Sequence, residues 1–98
     1  MQRDITEPLY RIARVHSRVG KFLKKHHELG REFSEHLDEI CRGPLPDNNP
    51  GAIGHLRARY FCLYRYRSGK VRLIYEIDHD RREISLLDLS IRDKAYRE

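Results

Sequence analysis

Tyr64-Arg65-Tyr66-Arg67-Ser68-Gly69-Lys70-Val71-Arg72-Leu73-Ile74-Tyr75-Glu76-Ile77-Asp78 decides that the second half of this chain is sheet. Over the run from Leu56 to Arg67, Ala58, Tyr60, Cys62, Tyr64 and Tyr66 share one parity. Arg57, Arg59, Phe61, Leu63, Arg65 and Arg67 share the other. Beyond the Ser-Gly pair the period continues, with Val71, Leu73, Tyr75 and Ile77 against Arg72, Ile74, Glu76 and Asp78. Two such runs around Ser68-Gly69 predict a tight hairpin with Ser68-Gly69 as its two-residue loop. Its tyrosine-rich face packs inward, and Arg65 and Arg72 end on the same outer face.

Ile84-Ser85-Leu86-Leu87-Asp88-Leu89-Ser90-Ile91 follows a turn at residues 78–82 and is apolar on both parities, which predicts an interior strand. Upstream of the hairpin, residues 43–54 carry Pro44, Pro46, Asp47, Asn48, Asn49, Pro50 and Gly51, the composition of an irregular connection. Before it the period is helical. Val19, Phe22, Leu23 and His26 share a face behind Ser17 as N-cap, and after a reset at Leu29-Gly30 a second face runs Phe33, Leu37, Ile40, Cys41 to a stop at Gly43-Pro44. Residues 9–15 are rich in strand formers but alternate poorly, and read as a first strand. The order βααβββ predicts an α+β fold with two helices on one face of a small, mainly antiparallel four-stranded sheet, as one domain over residues 1–98.

Twenty Lys and Arg against 15 Asp and Glu give a formal charge of +5 and a pI near 9.5. Residues 55–72 hold Arg57, Arg59, Arg65, Arg67, Lys70 and Arg72 with no carboxylate, so the charge is a patch and the partner expected is acidic. Cys41 and Cys62 sit among apolar residues and read as core filler in a reducing compartment. The charged N-terminus and the lack of a long apolar run predict a cytoplasmic protein with no membrane partner. The six histidines make no zinc-type spacing with the cysteines, and no phosphate loop or dinucleotide fingerprint occurs, so no metal and no cofactor is expected. Arginines converging on one face fit a phosphodiester, because guanidinium groups take phosphate oxygens in pairs and stay charged. The same pattern is also that of a solvated strand face, and the tyrosines are core-forming residues in either case.

The hairpin, with Leu56-Arg57 before it and Ile91-Arg92-Asp93-Lys94-Ala95-Tyr96 after it, resembles the RelE/ParE superfamily of toxins from type II toxin–antitoxin systems. The strand and two helices upstream come in that family's order. The resemblance implies a metal-independent, ribosome-dependent messenger-RNA endoribonuclease that inhibits translation. In such an enzyme the ribose 2′-hydroxyl attacks the adjacent phosphate and leaves a cyclic phosphate. It also implies a cognate antitoxin, expected to be acidic, and a catalytic set of Arg72, Arg92 and Tyr96. Arg57, Arg59, Phe61, Arg65, Arg67 and Lys70 are then the expected RNA-binding surface. Ile91 stands where many relatives have histidine, Leu63 where some have a basic residue, and Ala58 where glycine is usual. The ParE-like branch, which inhibits DNA gyrase, shares the fold and is the alternative; a non-catalytic member that binds RNA or protein is a third.

Overall fold

The computed structural model describes residues 9–56 and 63–91. Strand β1 (Arg11–Val15) leads to helix α1 (Ser17–Lys25), a 3-10 turn (His27–Leu29) and helix α2 (Gly30–Arg42). A second 3-10 turn (Pro46–Asn48) precedes strands β2 (Ile53–His55), β3 (Leu63–Ser68), β4 (Val71–Asp78) and β5 (Glu83–Ile91). The strands form one sheet in the order β1-β5-β4-β3-β2, with β1 parallel to β5 and the other neighbours antiparallel. The expected α+β architecture therefore holds, but the sheet has five strands rather than four. The additional strand is β2, three residues that the Pro- and Gly-rich composition of the preceding connection conceals. It pairs Ile53 with Tyr66, Gly54 with Arg65 and His55 with Tyr64.

Alternation in β4 is kept in full: Val71, Leu73, Tyr75 and Ile77 are buried, while the residues between them are half-buried or exposed. In β5 it is interrupted. Ile74 pairs with Asp88 and Tyr75 with Leu86, so Leu87 is an extra residue, a bulge that moves the buried set from Ile84 and Leu86 to Leu89. The double parity of this segment thus reflects a bulge in addition to its interior place between β1 and β4. Ala13 does the same in β1, where Ile12 pairs with Ile84 and Arg14 with Ser85, which explains the poor alternation of residues 9–15.

The hairpin loop is Gly69-Lys70, one residue later than expected, because Ser68 still pairs with Val71. Gly69 takes φ +59°, which suits glycine at the first loop position of a II′-type hairpin. Helix α1 begins at Ser17 itself; the capping residue is His16, whose Nδ1 accepts from the Arg18 amide at 3.2 Å. α1 packs on β5. α2 buries Phe33, Ile40 and Cys41, and burial pushes the Cys41 thiol pKa up. Two tyrosines fasten the sheet to this helical layer. Tyr66 donates to Glu39 Oε1 at 2.6 Å and meets His36 Nδ1 at 3.0 Å, while Tyr75, with no exposed surface, donates to the Pro44 carbonyl at 2.7 Å. Among the described residues, no helix is long and apolar enough to cross a membrane.

Candidate nucleic-acid interface

With the helices on one side, the opposite side of the sheet is set by pairing register alone. One row across it runs Gly54, Arg65, Ile74, Asp88 from β2 to β5. The next row toward the hairpin loop is Arg67, Arg72, Ser90, and the next away from it is Leu63, Glu76, Ser85, Arg14. Arg65, Arg67 and Arg72 are all half-buried on this outer face, as the hairpin reading expects, and Lys70 is exposed in the loop. Tyr64 and Tyr75 are buried on the helix side with their rings stacked at 5.8 Å. The other residues expected at the site, Arg57, Arg59, Phe61, Arg92 and Tyr96, lie outside the described residues.

Two local arrangements shape the cations. A Cβ built at Gly54 would lie 2.7 Å from the central carbon and from both terminal nitrogens of the Arg65 guanidinium, so that group lies across bare Gly54 backbone. Arg67 and Arg72 are direct cross-strand partners. Like charges in that relation repel, and an anion held between them relieves the repulsion. The backbone ladder fixes the strand positions from which these side chains rise, so the three guanidinium groups are held to one region of the face.

Four carboxylates share the face: Glu76 and Asp88 near the arginines, and the cross-strand pair Asp78 and Glu83 at the end away from the hairpin loop. Glu76 is exposed, and its outward parity is legible in the alternation of β4. Asp88 is half-buried beside Ile74, and alternation alone misplaces it because it has the parity of the buried Ile84 and Leu86 until the bulge is known. The helix side carries a separate polar group in which His36, besides touching Tyr66, holds its Nε2 at 3.3 Å from Glu32 Oε2. Burial, then the bond to Glu39, pushes the Tyr66 phenol pKa up; burial does the same for Tyr75. Among the described residues no group of three or more His, Cys, Asp or Glu is placed to hold a metal.

No protein-family model matches the chain, and no curated protein does. Solved structures do. A chain of the RelBE toxin–antitoxin complex from Mycobacterium tuberculosis aligns with a TM-score of 0.55 at 22% identity, over 88% of this chain and 100% of that one. A chain of the archaeal RelE–RelB complex from Pyrococcus horikoshii aligns with a TM-score of 0.57 at 26% identity, over 88% of this chain and 98% of that one. What they share with this chain is the fold.

Proposed function

We propose that this chain, which has the fold of the RelE-like toxins, is the toxin of a type II toxin–antitoxin pair and acts as a metal-independent endoribonuclease on ribosome-bound messenger RNA. The observation that carries the reading is the row Arg67-Arg72 beside Arg65 on the open sheet face, three cations held on paired strands. Arg72 and Arg65 take the oxygens of the scissile phosphate. The 2′-oxygen bonds to phosphorus as its proton leaves to solvent, and the bond to the 5′-oxygen breaks, giving a 2′,3′-cyclic phosphate. Tyr96 supplies the proton that the departing oxygen needs, and Arg92 adds a third cation against the charge on phosphorus; both assignments come from the family resemblance of residues 91–96. The partner is an acidic antitoxin that covers the same arginines, in keeping with the net charge of +5.

Cleavage of ribosome-bound message by the wild type, Arg72→Ala and Tyr96→Phe tests this. Arg72→Ala is expected to slow cleavage by about 10² or more, as loss of one preorganised donor does. Tyr96→Phe is expected to slow cleavage and spare RNA binding, since it removes a proton and no charge. Growth arrest that persists in both variants with the message intact would overturn the nuclease reading in favour of the gyrase-directed branch.

A further inference from the structure

On the helix side, remote from the arginine face, α1 and β5 enclose a groove of about 350 Å³ lined by Arg18, Lys21, Phe22, Lys25, His26 and Leu89. Its apolar part is built from the Phe22 and His26 rings, stacked at 4.3 Å with 29° between their planes, and from buried Leu89. Its rim is cationic. Arg18, Lys21 and Lys25 are spaced three and four apart, so they form one stripe along α1 that spans about 10 Å at the helical rise. None of the six lining residues is a carboxylate. The nearest acid in sequence, Glu28, has its oxygen 3.7 Å from His26 Nδ1.

Helix physics accounts for only part of this charge pattern: Lys24 and Lys25 lie in the last turn, where the dipole favours cations, whereas Arg18 and Lys21 have no such support. The helix has nine residues, four of them cationic and none acidic. Lys21 and Lys25, four apart, repel each other, as do Arg18 and Lys21. Arg18 also lies in the first turn, where the helix dipole disfavours positive charge and no acid offsets it. A local rule broken in this way, next to a concave aromatic surface, marks a surface kept for a ligand. Cations around an aromatic floor are the arrangement that holds single-stranded nucleic acid, with phosphates on the rim and a base on the ring face. The volume suits one nucleotide-sized group at a time.

We infer that the α1 groove is a second nucleic-acid site, which takes a single-stranded segment of RNA while the arginine face engages the scissile strand. The choice of RNA over DNA rests on the function proposed above; the groove itself does not. Two contacts on opposite sides of one small domain let the protein hold an RNA assembly and its substrate strand together, which raises the effective concentration of the second contact.

The test measures binding of the full chain to a labelled twelve-nucleotide oligouridylate and to the matching oligothymidylate over a salt series. It compares the wild type, Lys21→Ala/Lys25→Ala, Phe22→Leu and Arg72→Ala. The lysine pair should weaken RNA binding about tenfold or more at low salt and lower the slope of log K against log salt by about 1.4, the value for two phosphate contacts on a single strand. Phe22→Leu keeps the apolar packing, and should weaken binding without changing that slope. Combined with Arg72→Ala, the lysine pair should act additively, as separate sites do. Unchanged affinity and slope in the lysine variant, with its helix content intact by circular dichroism, would overturn the inference. So would tighter binding of oligothymidylate than of oligouridylate through the same lysines. Message cleavage assayed in parallel keeps the two readings apart: a chain that binds RNA through α1 and cleaves nothing retains this site and loses the nuclease assignment.

Discussion

Tyr75→Phe removes one oxygen from the centre of the molecule, and with it the bond to the buried Pro44 carbonyl. The expected cost is about 1–3 kcal/mol, read as a lower urea midpoint, because the carbonyl is left without its donor. The same tyrosines govern alkaline stability. Tyr66 and Tyr75 both have pKa values raised in the folded state, chiefly by burial. Their contribution is therefore complete below the unfolded tyrosine value of about 10 and is lost as pH climbs above it, by up to about 1.4 kcal/mol per pH unit for each. Urea unfolding between pH 9 and 11 should show the fall, with the raised Cys41 thiol adding to it in the same direction, and the slope should be shallower in Tyr75→Phe. Gly54→Ala works in the opposite way: it should leave stability nearly unchanged, because only the mobile end of Arg65 must move. It should nevertheless weaken RNA binding and lower the salt slope by about 0.7, one phosphate contact. At this scale the sequence was informative about facing and silent about neighbours. Period-two alternation put Arg65 and Arg72 outside and Tyr64 and Tyr75 inside, but no local pattern could reveal that Arg65 rests on Gly54, which belongs to a strand joined to it only by tertiary pairing.

Elements differ in how far their own sequence specifies them. α2 and β4 were legible because packing and periodicity agree along their whole length, from Phe33 to Cys41 and from Val71 to Ile77. β5 was legible as an interior strand but not in its register. Leu87 is an insertion into the alternation, and inserted residues look the same as two-sided burial when only one strand is seen. Deleting Leu87 should for that reason be tolerated, since Leu86, Asp88 and Leu89 then alternate without interruption and each keeps its face. Deleting Leu89 instead puts Ser90 into the core and should unfold the protein; thermal unfolding of the two deletion variants distinguishes the outcomes. The start of α1 was displaced by one residue because an imidazole, which is uncommon as a cap, replaces the hydroxyl of Ser17 in that role. His16→Asp should stabilise the protein by about 0.5–1 kcal/mol, through a stronger cap and an acid opposite the Arg18 charge.

Across the whole molecule, charge and topology are distributed unequally. α1 and the hairpin are cationic, whereas α2 holds four carboxylates against two arginines. Carboxylates gather on α2 and toward the far end of β4 and its turn, where Arg81 approaches Asp78 and Arg11 pairs with Glu83. That last pair also joins two strands 72 residues apart in the chain. A sheet closed by so distant a partner folds slowly, on the millisecond-to-second scale rather than in microseconds, and stopped-flow refolding from urea should show this. The parallel pairing of β1 with β5 has a consequence for the protein's own synthesis. While the chain is being made, β1 emerges early and has no neighbour; every row of the arginine face is incomplete until Asp88 and Ser90 of β5 have been added. A product cut short by stalled or aborted translation lacks that strand and cannot complete its sheet or the arginine face. The chain acquires its finished surface only when its last strand is in place.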